Sequence, residues 1–354
     1  MPVEVRDAIH GLIELRDREW GIVDTRAFQR LRGVQQLAMT HLVYPGARHS
    51  RFEHCSGACH IAGRLAARLG LDAGRLRLAA LVHDIGHGPF SHVSEAVFER
   101  NTERSHVHET ISAAIVRHDP EVRAAMGDDA EWVASLLEET GEGVARSVER
   151  DVVAGPSDVD KLDYLLRDSH FCGVEYGRYD LDKVIETARV HRSTVGHRTS
   201  LAFHEEGIYA LEEMLLARYH MHRQVYGHRT RVATDLMLIR AIQLGVEEGI
   251  LPAVVFTPPD DPDADFVQAY LRWDDNMVVN SLGPREEARA GQIVQALLSR
   301  RLLKRVVRLS FRELVEHFGR QEAGAIAEPD PNVLRGKLPE VEASIGEAAG
   351  VEPH

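Results

Sequence analysis

His83, Asp84, His87 and His92 stand within ten residues of one another in Leu81-Val82-His83-Asp84-Ile85-Gly86-His87-Gly88-Pro89-Phe90-Ser91-His92, and all four can ligate a metal or carry a proton. Neighbouring His83 and Asp84 can serve one ion only if the backbone aims both side chains inward. The apolar residues before the pair predict a buried helix end, and Gly86, Gly88 and Pro89 predict that the helix breaks there. His118-Asp119 is an internal control. Pro120 follows it and charged residues surround it, so the same dipeptide reads there as a solvated helix end.

The first pair has company. Arg51-Phe52-Glu53-His54 lies upstream, and Asp158-Val159-Asp160-Lys161-Leu162-Asp163-Tyr164 lies downstream. Taken singly, each of these residues reads as core or helix cap. Taken together, His54, His83, Asp84 and Asp160 give two imidazoles and two carboxylates. That donor set suits Mn, Fe, Zn, Ni or Co, and is less typical of Ca or Mg. Arg51 lies three residues before His54, on the same face of a helix, where a guanidinium can either pair with a nearby acid or clamp phosphate oxygens. His87, His92 and His108 are the candidates for proton transfer or phosphate contact, with His92 first as the acid–base group. Glu95, one turn after His92, is placed to orient it. For each histidine a structural hydrogen-bonding role competes.

The elements that must position these groups are helical. Helical periodicity covers Ser56 to Gly70, Arg75 to Ile85, His108 to Val116 and Tyr209 to Tyr219. Val190 to Phe203 predicts a short hairpin. Pro258 to Asp263 is the clearest turn, followed by helix-like runs over Phe266 to Leu282 and Glu287 to Val307. The expected fold is therefore mostly α: a helical core over 1–245 with a small β-hairpin, a helical and oligomerising region over 246–320, and a loosely ordered tail over 321–354. The basic run Arg300, Arg301, Lys304, Arg305 and Arg308 has the spacing of an amphipathic, solvated or dimer-facing helix.

Composition bounds the class. Of 354 residues, 44% are hydrophobic and 27% charged, ordinary for a globular protein. The 42 Lys and Arg against 55 Asp and Glu give a net charge of -13, which argues against general attraction to nucleic acid. Cys55, Cys59 and Cys172 form an odd set without CxxC spacing and read as free thiols in a reducing cytoplasm. No long apolar run or signal peptide is apparent, so the expected protein is cytoplasmic and makes no membrane contact.

The order His54, His83-Asp84, Asp160 resembles the HD-domain metal-dependent phosphohydrolases. The fuller strings narrow the likeness. Asp24-Thr25, Phe28-Gln29-Arg30-Leu31-Arg32, Tyr44-Pro45-Gly46-Ala47, Asp158 to Asp168 and His222 to His228 resemble the SAMHD1-like deoxynucleoside triphosphate triphosphohydrolases. The likeness is dense from Ile9 to Asp168 and recurs around Arg218 to Arg231. It implies hydrolysis of deoxynucleoside triphosphates to deoxynucleoside and inorganic triphosphate. It also implies a divalent transition metal, with magnesium as a second, substrate-bound ion. Lys161, Tyr164, Asp168, Gln36, Arg218, His222 and Tyr226 then fall at substrate positions. Asp24, Gln29 and Arg32 match positions that read a guanine effector between subunits, although Gln29 and Arg32 equally suit ion pairing on a core helix. A homo-oligomer, dimer or tetramer, is expected. Two rivals remain: an HD-type phosphatase or phosphodiesterase acting on other phosphate esters, and a nucleotide sensor with a vestigial site.

Overall fold

A computed structural model of the chain describes residues 3–138, 147–193 and 198–304, together with 312, 315, 316 and 320. The chain starts with an antiparallel hairpin, β1 (Val3–Asp7) and β2 (Gly11–Leu15), in register from Val3 opposite Leu15 to Asp7 opposite Gly11. The turn uses Gly11 at φ 74, a left-handed value that glycine adopts without steric cost. This hairpin is an addition to what the sequence predicts.

Two short helices follow, α1 (Asp17–Val23) and α2 (Arg26–Gln29). The core helix α3 (Arg51–Leu69) packs against α4 (Ala73–Val82) and α10 (Val159–Cys172). Between these lie α5 (His92–Thr102), α6 (Val107–His118), α7 (Pro120–Met126), α8 (Ala130–Leu137) and α9 (Val148–Ala154). Beyond α10 come α11 (Leu181–Thr187) and a second hairpin, β3 (Ala188–Arg192) with β4 (Thr199–Phe203), where the sequence expects one. Helices α12 (Ile208–Met221), α13 (Arg229–Glu247), α14 (Ala253–Phe256), α15 (Ala264–Tyr270), α16 (Asp275–Leu282) and α17 (Arg289–Leu298) complete the described helices. The architecture is mostly α with two small hairpins. Residues Met1–Leu303 form one compact unit and Lys304–His354 another; in the latter, exposed Arg312 and Glu316 form an ion pair at 2.8 Å.

Local chemistry sets the ends of the helices that carry the site. Helix α3 opens with a capping box in which the Ser50 N–H donates to Glu53 Oε2 at 2.9 Å, and it closes at Gly70 with φ 68. Asp72 caps α4 through the Gly74 and Arg75 amides. Asp158 caps α10, so this carboxylate serves as a helix start two residues before Asp160.

Several expectations need correction. Helix α4 ends at Val82, a turn earlier than Arg75 to Ile85 suggests, so His83 and Asp84 stand at its very end. Phe266 to Leu282 is two helices, broken at Leu271 to Asp274, and the apolar faces of Phe266, Val267, Tyr270, Val278 and Leu282 are buried within the chain. The basic run departs from a helix over its described part. Helix α17 stops at Leu298 and Arg300 turns left-handed at φ 55, because the Arg300 and Arg301 amides fold back onto Leu297 and Ala296. Arg305, Arg308 and the tail from 321 lie outside the described residues. Asp119 of the control pair does end a helix, but it is buried and caps α7 through the Glu121 and Val122 amides.

Candidate active site

The end of α4, the first turn of α3 and the first turn of α10 converge. His54 Nε2 lies 3.3 Å from Asp84 Oδ2 and 3.0 Å from Asp160 Oδ1; His83 Nε2 lies 3.4 Å and 3.7 Å from the same two oxygens. Donors about 2.1 Å from one ion would stand roughly 3.0–3.4 Å apart. The four predicted ligand residues thus form a group able to hold a metal.

The second ring nitrogens show which atoms are reserved. His83 Nδ1 donates to Ala80 O at 2.7 Å, and His54 Nδ1 pairs with Asp163 Oδ2 at 2.8 Å. Both Nε2 atoms are buried without a hydrogen-bond partner. An imidazole fixed through one nitrogen, with the other bare and aimed at carboxylates, is how a protein presents a metal ligand. The residues therefore fit a divalent transition ion. Without metal, burial opposes charge on His54 and His83, but Asp160, Asp163 and Asp84 around His54, and Asp84 and Asp160 around His83, outweigh it and raise both pKa values.

Asp163 was not among the expected site residues, and neither were its supports. Arg167 Nε and Nη2 donate to it at 2.7 and 2.9 Å, and His10 Nε2 lies 2.7 Å from its Oδ1. Arg167 also binds Asp7 at 2.7 Å, which ties the first hairpin to the back of the site. Gly57 is required here, since a Cβ would sit 1.9 Å from Asp163 Oδ1. The available signal was modest: Asp160 and Asp163 at i, i+3, and Asp163 and Arg167 at i, i+4.

The cluster borders a cavity of about 780 Å³, a size suited to a small organic ligand. Its walls include Gln36, Arg51, His87, His92, His108, Lys161, Tyr164, Asp168, Arg218, His222 and Tyr226, which the structure thereby brings together. Arg51 donates through Nε to Ser91 Oγ at 3.0 Å and through Nη1 to Asp84, while its Nη2 has no partner. Lys161 Nζ donates to Asp158 Oδ2 at 2.6 Å and Gly155 O at 3.1 Å. Among the described residues Arg218 has no ion-pair partner. Asp168 is held by His49 Nε2 at 2.7 Å and by the Tyr226 hydroxyl at 2.6 Å. Tyr226 in turn packs edge-on to Tyr164 and His222.

The three proton-transfer candidates stand together. His87 stacks on His108 with ring centroids 4.1 Å apart and meets His92 edge-on at 5.5 Å. Asp84, His87 and His108 form a second group able to hold an ion. The protein around His92, then the charges of Arg51, His108 and Arg231, push its pKa down to about 4, although the cavity leaves the ring reachable by water. Burial and Arg51 likewise lower His87. Burial opposes charge on His108, but Glu95 outweighs it and raises that pKa.

Glu95 corrects an expectation. It accepts the Val107 and His108 amides at 2.6 and 3.2 Å and lies 3.2 Å from His108 Nδ1, so its partner is His108 rather than His92. The unpaired amides at the start of α6 draw the carboxylate there. Asp24, Gln29 and Arg32 lie outside the cavity. Arg32 Nε donates to Gln29 Oε1 at 2.9 Å and its guanidinium covers the Phe52 ring, while Asp24 is exposed at the end of α1.

Comparison with known proteins agrees with this arrangement. Residues 51–168 match the HD domain and residues 185–354 the HD associated region. The chain belongs to the HD-domain phosphohydrolase family. It is 32% identical over 281 residues to an uncharacterized protein of Methanocaldococcus jannaschii, covering 79% of this chain and 57% of that one. It is 33% identical to the deoxynucleoside triphosphate triphosphohydrolase SAMHD1 homolog of Dictyostelium discoideum, covering 67% and 48%. It is 31% identical to the deoxynucleoside triphosphate triphosphohydrolase SAMHD1 of Danio rerio, covering 86% and 55%. The chain thus spans about half the length of the curated relatives it matches. A crystal structure of a hypothetical protein from Aquifex aeolicus superposes with a TM-score of 0.74 at 27% identity, covering 94% of this chain and 83% of that one.

Proposed function

We propose that the protein hydrolyses deoxynucleoside triphosphates to deoxynucleoside and inorganic triphosphate. One observation carries this reading. Gln36 Oε1, Arg51 Nη2, His83 Nε2 and His87 Nδ1 are all buried without hydrogen-bond partners in the wall of one cavity, and His54 Nε2, likewise unpartnered, lies beside His83. Buried polar atoms are normally paired, so such a concentration marks groups that await a charged ligand. The names carried by the Dictyostelium and Danio relatives support a deoxynucleoside triphosphate as that ligand.

His54, His83, Asp84 and Asp160 would hold a divalent transition ion, which lowers the pKa of water and polarises a phosphate oxygen when bound. The chain's own groups do the remainder. Arg51, Lys161, Arg218 and His108 neutralise the triphosphate. Tyr164, Asp168 and Tyr226 enclose the sugar, and close packing there leaves a 2′-hydroxyl without room. His92, neutral near pH 7, takes the proton of the attacking water as the α-phosphorus to O5′ bond breaks, and passes it to the departing deoxynucleoside. Hydrolysis of each dNTP and rNTP in ¹⁸O water, followed by mass analysis of the phosphate products, tests this. The expected product is intact triphosphate carrying the label. Orthophosphate with a nucleoside diphosphate would place attack at the γ-phosphate and overturn the reading.

The protein is also proposed to be a homo-oligomer. The helices after Pro262 bury their apolar faces internally, whereas α12 leaves Ile208, Tyr209, Leu215, Leu216 and Tyr219 more than half exposed. A patch of that kind suits a protein interface. Sedimentation that returned only a 39.6 kDa monomer, with and without dGTP, would remove the oligomer from the proposal.

A further inference from the structure

The stretch from His83 to Ser91 is out of helix yet buried, so its backbone groups need partners that no ladder supplies. Several come from one distant segment. Tyr270 Oη donates to Gly86 O at 2.7 Å, and Asp275 Oδ1 accepts the Phe90 amide at 2.6 Å. Arg30 bridges the two sides: Nη2 donates to Ile85 O at 2.9 Å and to His87 O at 2.7 Å, and Nη1 donates to Trp273 O at 2.9 Å. The other Asp275 oxygen accepts the Gln35 amide at 3.0 Å, and Gln35 O accepts from Ser91 Oγ, the atom that holds Arg51 Nε at 3.0 Å.

The held backbone is unusual. Phe90 and Ser91 have φ of 60 and 53, left-handed values that bulky L-residues avoid. Such a turn persists only where its surroundings over-determine it, and the Asp275 carboxylate receives the amide of the first of these two residues. His87 and His92 lie on either side of the turn. Tyr270 and Asp275 lie about a hundred residues beyond the segment that matches the HD domain, inside the HD associated region.

We infer that Tyr270 and Asp275 are positioning residues for hydrolysis: they clamp the His83–His92 loop from the associated region and so set His87, His92 and Arg51 against the metal group. The inference rests on the hydrolase reading above. It assigns the associated region a direct part in building the site, acting on the loop's backbone rather than on substrate.

The test compares Tyr270→Phe and Asp275→Asn with the parent protein, each loaded with Mn²⁺. Three quantities are read: amide exchange of peptides spanning 84–92, bound Mn²⁺ per chain, and kcat and KM for a dNTP. The expected result is faster exchange confined to the loop, a retained metal equivalent, and kcat lower by about ten- to a hundredfold with KM within about twofold. Unchanged loop exchange in both variants overturns the inference. So does exchange that rises equally across α3 and α13, since that indicates general destabilisation. If Asp275→Asn does not fold, Tyr270→Phe decides, because it removes one hydroxyl and no packing volume. Should the parent hydrolyse no nucleotide, the substrate reading fails, while loop exchange and metal content still decide the clamp.

Discussion

The two ends of the cavity are built differently. At the end that would hold a metal, three of the four candidate ligands have a partner behind or beside them: Ala80 O behind His83, Asp163 behind His54, and Arg51 beside Asp84. Asp163 is itself held by Arg167 and His10, and all of these side chains are buried or nearly so. At the other end, His222 is exposed, Arg218 is half-buried without an ion-pair partner among the described residues, and both stand on α12 and the π-helical turn after it. Lys161 lies between, already satisfied by Asp158. A small hard point charge needs its donors fixed in advance, whereas a flexible nucleotide can be met by side chains that settle around it. Rigidity is concentrated where the ligand gives no choice of geometry.

The largest effect should come from removing a ligand at the rigid end. His83→Ala and Asp160→Ala are expected to lose both bound metal and hydrolysis, measured by metal analysis and product assay; a full metal equivalent with activity in either variant removes the assignment. Asp163→Asn tests whether the layer behind matters. Metal affinity should fall by about ten- to a hundredfold in chelator competition, with the cavity groups untouched. An unchanged affinity would erase the contrast between the two ends.

Lys161→Ala addresses the middle of the cavity. Metal should remain at one equivalent while kcat/KM falls by about tenfold or more, the loss of a charge-assisted hydrogen bond to phosphate. Equal loss of metal would mean that Lys161 supports α10 rather than substrate.

The smallest effect concerns stability away from the cavity. Burial, then His10 and the neighbouring arginines, lower the pKa of His60 on α3 to about 4 from an ordinary 6.5. The unfolded chain therefore binds this proton at higher pH than the folded one. The contribution of His60 is complete above about pH 6.5 and is lost as pH falls toward about 4. In chelator-treated protein, His60→Gln should flatten the decline in unfolding free energy between pH 7 and 5. An identical slope in parent and variant would exclude this group as a source of acid sensitivity.

How far the site was legible varies residue by residue. His54, His83, Asp84 and Asp160 could be picked out because each lies in a string with a distinctive neighbour: Arg51, the Gly86 and Gly88 break, or Lys161. Glu95 was assigned to His92 because a helix places i and i+3 together, but the amides of Val107 and His108, supplied by another helix, compete for it and win. The first hairpin was missed, and Asp7 and His10 with it, because five-residue strands carry little periodic signal. Asp163 looked like one more acid on a helix until His54, more than a hundred residues away, was seen to use it.

By itself the sequence determined the class of fold and picked out four residues that the structure brings together as a group able to hold a metal, since these depend on residue type and short spacing. Only the tertiary structure decided which nitrogen of His54 and His83 faces Asp84 and Asp160, which histidine Glu95 serves, and that Tyr270 and Asp275 hydrogen-bond the loop between His83 and His92. Those choices are made by single hydrogen bonds between segments far apart in the chain. Local pattern cannot encode them, because each donor has many acceptors of the right type and the packing of the helices selects one.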